Sequence, residues 1–258
     1  MKELISKITK DYLFRLIKEG KRLDGRDLME HRGIKLETGW IGTAEGSARV
    51  HLGDTDVVVG IKMDIGEPFP DTPEKGVMIT SAELIPMASP KYEAGPPRED
   101  ATELARVVDR GVREGKVIDV TKLCIEKGEK VWLVFVDMHI LDFDGNLFDA
   151  CGIALMAALM NTMVPAERFD LGKDYPLPVD HHVIPTTFYK VKDQIMLDAR
   201  LEEEMISDAR LTVATNEDGD IVAMQKGLSG VFDYEDTLYC IEHSKKIGDE
   251  IRKLLKGA

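Results

Sequence analysis

Apolar residues at the start of the chain fall at positions that one face of a helix presents. They lie between residues 5 and 19 and repeat with helical rather than strand spacing. Gly20, a typical helix terminator, comes directly after this segment. The pattern predicts an N-terminal helix within residues 1–20. Its apolar face would carry Ile5, Ile8, Leu13, Leu16 and Ile17.

Eight runs further along the chain are rich in apolar and β-branched residues and are bounded by turn residues, as strands are. In the first half they cover residues 48–52, 57–63, 77–85 and 130–141. In the second half they cover residues 183–189, 194–198, 208–215 and 221–225, and a hairpin turn at 216–219 joins the last two. Seven of the eleven prolines fall within residues 66–98, which predicts exposed loops on both sides of the third strand.

Three further helices are predicted, at residues 100–115, 146–163 and 234–256. The middle one is apolar almost all round and should be buried, with Met156, Met160 and Met163 as core residues. The element order is strands, helix, strand, helix, strands, helix. This order suits an α+β or α/β fold, and we adopt α+β, with helices packed on mixed sheets. No shift in composition marks a boundary, so we predict a single domain over residues 1–258.

Composition narrows the functional classes. The net charge of −13 argues against a protein whose whole surface attracts nucleic acid. Nucleic-acid binding would need a local basic patch, or a partner that supplies positive charge. No run of about 18 apolar residues and no signal-peptide pattern is present, so we expect a cytoplasmic protein without membrane contact. The three cysteines are scattered, which disfavours disulfide frameworks and zinc sites, and we expect neither a metal nor a cofactor.

A series of motifs then points to a known family. R-L-D-G-R at residues 22–26 and E-H-R at 30–32 are followed by G-S-A at 46–48 and G-D-T at 53–55. G-P-P-R-E-D at 95–100 continues into E-L-A-R-V-V-D-R at 103–110, and D-G stands at 144–145. In this order the motifs resemble the RNase PH family, over nearly the whole chain. The stretch at 95–110 is similar to one subclass, the non-catalytic subunit of the archaeal exosome and its eukaryotic relatives.

The resemblance implies a fold of two related β-α-β-α units and assembly into hexameric rings around a central pore. Active members of the family degrade RNA from the 3′ end with inorganic phosphate and release nucleoside diphosphates. The implied partners are a catalytic RNase PH-like subunit in a trimer of heterodimers, RNA-binding cap proteins of the exosome, and single-stranded RNA.

The family's phosphate loop, D-G-G-T-R or D-G-G-S-R, is altered in this chain. A helix N-terminus, a hydroxyl group and an arginine grip the anion in such a loop. Here Asn146, Leu147 and Phe148 replace the second glycine, the hydroxyl residue and the arginine, and Asp149 adds a negative charge in the first turn. We therefore expect a degenerate phosphate site that binds no phosphate. Asn146 is expected to cap the helix, with Asp149 three residues later in a capping-box position.

The family's catalytic acids follow a D-x₅-D pattern, and Glu202 and Asp208 have the matching spacing. Runs of acidic residues are usually solvated surfaces, and a carboxylate without a phosphate site cannot complete phosphorolysis. We therefore expect these two positions to be vestigial and the chain to have no catalytic residue.

The predicted helix at 100–115 has one apolar face and one basic stripe. Arg106, Arg110 and Arg113 lie within roughly 60° of one another, opposite the apolar residues. Such a stripe can bind successive phosphates of single-stranded RNA. Spacing alone favours ion pairs on the helix surface, Arg110 with Glu114 and Arg113 with Asp109. The resemblance favours RNA contact, with Arg98 in the preceding loop as an additional contact. The apolar face comprises Ala101, Leu104, Ala105, Val108 and Val112.

His181 and His182 are adjacent and would point to opposite faces of a strand, so surface histidines are favoured over a metal site. Three functional hypotheses remain. The first is a non-catalytic scaffold that binds RNA and completes the active site of a catalytic partner. The second is an active phosphate-dependent 3′–5′ exoribonuclease with unusual phosphate ligands, and the third is a purely structural ring subunit.

Overall fold

A computed structural model describes residues 6–257 of the chain. Helix α1, Lys7–Lys18, begins where the Ser6 hydroxyl oxygen accepts a hydrogen bond from the Thr9 N–H at 3.1 Å. The predicted N-terminal helix is confirmed over these residues, whereas residues 1–5 lie outside the described part. Leu13 and Ile17 are buried, but Ile8 is 83% exposed. The buried face of this helix is therefore narrower than the spacing of its apolar residues predicts.

The first sheet has six strands. They are β1 Ile34–Thr38, β2 Gly46–Leu52, β3 Thr55–Gly66, β4 Val77–Leu84, β5 Cys124–Glu126 and β6 Lys130–Asp142. Their order is β1-β2-β3-β6-β4, and β5 pairs with β6. All pairs are antiparallel except β4 with β6, because the helix between them returns the chain to the same end of the sheet. The four predicted strands are confirmed, and the sequence analysis missed the short β1 and β5.

Two helices cover the inner face of this sheet. Helix α2, Glu99–Glu114, turns its apolar residues to the core as predicted. Helix α3, Leu147–Met160, is buried along almost its whole length. The prediction that this helix reaches Met163 is wrong. Asn161 ends it by donating from Nδ2 to the Ser47 and Ala157 carbonyls, and by accepting from the Ser47 N–H.

The end of α3 also decides the environment of the predicted core methionines. Met156 is buried and Met160 is partly buried, but Met163 is 43% exposed. Met163 belongs to β7, Met163–Val164, which pairs with β8, Tyr175–Pro176. The assignment of Met163 to the core is therefore wrong, because its strand lies beyond the end of the helix and turns Val164 rather than Met163 to the core.

The second half of the chain repeats the succession of strands and helices. It contains β9 Ile184–Val191, β10 Gln194–Leu197, α4 Leu201–Ile206, β11 Ala209–Thr215, β12 Ile221–Gly227 and α5 Tyr234–Gly257. The sheet order is β10-β9-β11-β12, and every pair is antiparallel. The predicted strands and the C-terminal helix are confirmed, whereas α4 and the two-residue strands β7 and β8 were not predicted. In the predicted hairpin, the Asn216 side-chain oxygen accepts from the Asp218 and Asp220 N–H groups.

Helix α3 joins the two halves. It packs on β2 and β3 of the first sheet and on β9 of the second, and one continuous hydrophobic cluster includes residues of both sheets. Gly152 on this helix lies against Pro185, so close that a Cβ atom would be 2.2 Å from Pro185 Cγ. The N-terminus of α3 is therefore fixed between the two sheets, and this is where the altered phosphate loop lies.

Candidate phosphate loop and arginine groove

Residues 144–149, here called the phosphate loop, comprise the end of the connection from β6 to α3 and the first turn of α3. Gly145 has φ +85°, and a Cβ atom there would lie 2.5 Å from the Ala199 carbonyl oxygen. A side chain would collide with backbone at this point, so the glycine allows the loop to press against residues 199–201. Asn146 also has a left-handed conformation, with φ 54° and ψ 53°. Asparagine tolerates this region better than most residues.

Asn146 is the N-cap residue of α3, as predicted, but the expected side-chain cap does not form. Its side chain makes no capping hydrogen bond, and Nδ2 instead donates to Asp149 Oδ2 and Asp198 Oδ1, both at 2.8 Å. The amide thus bridges two buried carboxylates. Burying carboxylates without donors is costly, and this demand outweighs the gain from a cap.

Asp149 faces the second sheet. Oδ1 accepts from the Thr187 hydroxyl at 2.7 Å, and Oδ2 accepts from the Thr187 N–H at 3.0 Å. Burial raises the pKa of this carboxyl to about 7, against the lowering effect of hydrogen bonds from Asn146 and Thr187. The negative charge of Asp198 adds to the increase in pKa. Asp149 lies in the first turn of α3 as predicted, but its carboxyl belongs to a buried network.

The N-terminus of α3 already holds a carboxylate. Glu204 Oε2 accepts from the Asn146 N–H at 3.0 Å and from the Tyr189 hydroxyl at 3.2 Å. Backbone N–H groups at a helix N-terminus are where anions bind. An acidic side chain of the protein therefore occupies a position that a bound anion would use.

The acidic residues singled out from the sequence lie elsewhere. Glu202 is partly buried and close enough to Asp144 to raise the pKa of that carboxyl, after the larger effect of burial. Asp208 is exposed, and its Oδ2 accepts from the Lys192 N–H at 2.8 Å. Glu204 was not predicted from the sequence. The spacing motif gave no signal for it, because its role depends on contact with Asn146, 58 residues away in the chain.

Arg22 of the R-L-D-G-R motif and Arg32 are buried behind the loop, where each pairs with a carboxylate. Arg32 donates to Asp198 from its backbone N at 2.8 Å, from Nε at 2.9 Å and from Nη2 at 2.7 Å. Nη1 also donates to the Asp144 carbonyl oxygen at 2.7 Å. Arg22 forms a fully buried ion pair with Glu203. These residues connect the segment before β1 to the residues after β10 and to the loop, a role that the sequence analysis did not assign.

Burial alone would raise the pKa of Asp198. The hydrogen bonds and positive charge of Arg32, together with the Asn146 amide, outweigh burial and lower the pKa below its ordinary value. The carboxylate is therefore ionised and fully engaged by donors. Together with Arg32 it fixes the back of the phosphate loop.

Phe148 carries a cation on its ring. The guanidinium carbon of Arg210 lies 4.0 Å from the ring centroid, and Nη2 donates to the Glu103 carboxylate. Gly227 is the cross-strand neighbour of Arg210, and a Cβ atom added there would lie 2.5 Å from Arg210 Nη2. The guanidinium thus contacts an aromatic ring and lies against a glycine. Gly227 leaves the space that this arrangement needs.

An open groove of about 980 Å³ runs along α2 and is here called the arginine groove. Arg106 is exposed, and its side chain makes no ion pair or hydrogen bond with any residue in the range 6–257. Arg110 donates to Gln225 Oε1 at 3.4 Å, so the alternative pair with Glu114 does not form. The charged residues that line the groove are Arg98, Glu99, Asp100, Glu103, Arg106 and Arg110.

Arg113 differs from the other arginines of the stripe. It pairs with Asp109 on the same helix, as the ion-pair alternative predicts, and it also donates to the Met78 carbonyl oxygen. Arg98 lines the groove, and its guanidinium pairs with the exposed Glu93. Of the four predicted RNA contacts, three therefore share one groove, and Arg113 is held at the first sheet.

The two adjacent histidines contact Glu217 in the hairpin between β11 and β12. His181 Nδ1 lies 3.0 Å from Glu217 Oε1, and the His182 N–H donates to Glu217 Oε2 at 3.0 Å. Within residues 6–257, no group of three or more histidine, cysteine or acidic residues is placed to hold a metal ion. Over the same range, no helix is long and apolar enough to cross a membrane.

Comparison with known protein families identifies the family to which this chain belongs. Domain 1 of the 3′ exoribonuclease family, RNase PH, matches residues 30–165, and domain 2 matches residues 181–247. The chain belongs to the RNase PH family of 3′ exoribonucleases. The expected RNase PH-type fold of two related units is thereby confirmed.

Particular relatives narrow the comparison. The chain is 51% identical to "Exosome complex component Rrp42" of Thermococcus gammatolerans, over 99% of this chain and 97% of that protein. The protein of the same name from Methanocella arvoryzae is 50% identical, over 99% and 98% of the two chains. A chain in the Archaeoglobus fulgidus exosome with RNA bound to the active site superposes with a TM-score of 0.93 at 49% identity. That match covers 95% of this chain and 97% of the other.

Proposed function

We propose that this chain is the non-catalytic RNase PH-like subunit of an archaeal exosome in the cytoplasm. It would alternate with a catalytic RNase PH-like partner in a hexameric ring, complete that partner's active site at their interface, and contact single-stranded RNA. The RNA-binding cap proteins would join this ring. The observation that carries the non-catalytic assignment is the Glu204 carboxylate at the N-terminus of α3.

The charges around the loop support the absence of phosphate binding. Three carboxylates, those of Asp149, Asp198 and Glu204, form hydrogen bonds to Asn146 and so surround the start of the helix. The neighbouring Arg32 is already committed to Asp198 and to loop carbonyls. A phosphate entering here would meet negative charge and, among residues 6–257, arginines that are already paired, so the cost of its desolvation would not be compensated.

The arginine groove supports the RNA-binding part of the proposal. Arg106 and Arg110 are exposed on one helix face, and within the described residues they have no acidic partner. Unpaired guanidinium groups in an open groove are suited to the backbone phosphates of a single strand. This positive stripe contrasts with the chain as a whole, whose net charge is −13.

An activity assay tests the catalytic assignment. The purified chain is incubated with single-stranded RNA, Mg²⁺ and inorganic phosphate, with and without the catalytic partner, and nucleoside diphosphates are measured. We expect no release by the chain alone and release once the partner is added. Release by the chain alone would support instead an active exoribonuclease with unusual phosphate ligands.

A charge-reversal experiment tests the RNA contacts. In the reconstituted ring, Arg106→Glu with Arg110→Glu should weaken RNA binding at least about tenfold and lower the slope of affinity against salt concentration. The matched control is Lys245→Glu with Lys246→Glu, which changes the net charge equally on the exposed face of α5. Equal affinities in both double variants and the unmodified ring would favour a purely structural subunit.

A further inference from the structure

The arginine groove contains as many acidic as basic side chains. Its charged lining comprises three arginines and three carboxylates. Glu99 and Asp100 stand in the first turn of α2, where the helix dipole favours negative charge. Glu103 stands one turn further on, three residues before Arg106, at a spacing where the two side chains are neighbours on the helix surface. An ion pair between them would mask Arg106 from RNA.

That ion pair does not form, because Glu103 pairs with Arg210 from β11. The side chain of Arg210 is 9% exposed and that of Glu103 is 40% exposed, so the buried cation draws the carboxylate toward the protein. Arg210 is itself anchored, since its guanidinium packs on the Phe148 ring and lies against Gly227. Its Nε is buried and has no hydrogen-bond partner among the described residues.

We propose that Arg210 is a positioning residue of the arginine groove. By holding and neutralising Glu103, it leaves Arg106 unpaired and available to RNA phosphates. This inference rests on the proposed RNA contact of Arg106 and Arg110. The proposal also assigns a role to Phe148, which stands where the family's phosphate loop has an arginine. Its aromatic ring packs against Arg210, and Arg210 in turn holds Glu103.

The proposal predicts opposite effects for the two members of the pair. Arg210→Met keeps an apolar side chain on the Phe148 ring but releases Glu103 to Arg106. RNA affinity of the reconstituted ring should then fall about threefold to fivefold, as expected for one exposed ion pair. Glu103→Gln removes the negative charge and should raise affinity about twofold to threefold, with a steeper dependence on salt concentration.

The double variant Arg210→Met, Glu103→Gln distinguishes a positioning role of Arg210 from a merely structural one. Without the carboxylate, Arg106 stays free whatever occupies position 210, so affinity should return to within about twofold of the unmodified ring. Failure of Glu103→Gln to restore affinity in the Arg210→Met background would overturn the proposal. Ring assembly, followed by size-exclusion chromatography, confirms that each variant is folded.

Three further outcomes are informative. Glu103→Gln changes a half-exposed side chain, so it can be measured even where Arg210→Met does not fold, and a fall in its affinity would overturn the proposal. The Arg106→Glu, Arg110→Glu ring is measured alongside. If that ring keeps full affinity, the proposed RNA contact and the role of Arg210 both fail. If it loses affinity while Arg210→Met does not, only the role of Arg210 fails.

Discussion

Replacing Asp198 with asparagine is expected to lower the free energy of unfolding by about 3–5 kcal/mol, the usual effect of breaking a buried ion pair on one side. Asp198 accepts five hydrogen bonds, three from Arg32 and one each from Arg26 and Asn146. Arg32 is only 6% exposed, so without Asp198 its charge would remain buried without its main partner. An asparagine also points an amide N–H₂ at groups that are themselves donors.

Asparagine is the appropriate replacement because Asp198 has φ 48°. Asparagine tolerates this left-handed conformation, so the variant changes the charge without adding backbone strain. The control is Glu93→Gln, which removes one carboxylate from the exposed pair with Arg98 and should change stability by less than about 1 kcal/mol. Urea unfolding of the three proteins measures the difference, and equal losses in both variants would contradict the prediction.

The same pair predicts a dependence on pH. The folded-state pKa of Asp198 is lowered, so its stabilising effect is present above the ordinary carboxyl pKa and is lost as pH falls through the folded-state pKa. The difference between the unmodified protein and Asp198→Asn should therefore be constant near neutral pH and shrink in acid. A difference that instead grows as pH falls would mean that the carboxylate is not the stabilising form.

Replacing Asp149 with asparagine should have the opposite effect on stability. The Asp149 carboxyl has a folded-state pKa of about 7, so the folded protein retains a proton that the unfolded chain releases near pH 4. The unmodified protein therefore loses stability as pH rises from about 4 to 7. Asparagine carries no charge, so the variant should be more stable by roughly 2–4 kcal/mol at pH 8 and similar at pH 4.

The hydrogen bonds of Asp149 can survive this replacement. An amide oxygen in the place of Oδ2 still accepts from Asn146 and from the Thr187 N–H. An amide N–H₂ in the place of Oδ1 donates to the Thr187 hydroxyl, which then donates to Thr212, 3.0 Å away. Unfolding free energies of both proteins between pH 4 and 8 measure the effect. If the unfolding free energies of the two proteins changed with pH in parallel, Asp149 would not titrate in this range.

Local patterns predicted most of the fold. The apolar face of α2 and the strands of both sheets follow from residues close together in the chain, which periodicity records. The short β1 was missed because its five residues, I-K-L-E-T, are too few and too polar to differ from a loop. The end of α3 was misplaced because Met163 and Val164 continue the apolar run past the helix. The signal that ends the helix is Asn161, which binds Ser47 on β2.

The candidate site was less predictable because its contacts join distant segments. Arg32 meets Asp198 across 166 residues, and Arg22 meets Glu203 across 181. Asn146 has the sequence signature of a helix cap, yet it binds Asp198, 52 residues away, and a helix signature carries no information on such a partner. The arginine stripe was predictable as a surface, because one helix supplies it. The pairing of these arginines was not predictable, because it depends on residues of other strands. Arg113 donates to the Met78 carbonyl oxygen on β4, and Glu103 pairs with Arg210 on β11.

The Arg210 guanidinium, which packs on Phe148 and lies against Gly227, limits which residues position 148 can take in the course of evolution. An arginine introduced at position 148 would lose the aromatic surface under Arg210 and place a second cation beside it. The Glu204 carboxylate would still occupy the start of α3. A change at position 148 alone would therefore remove the contact with Arg210 without freeing the N-terminus of α3 for an anion.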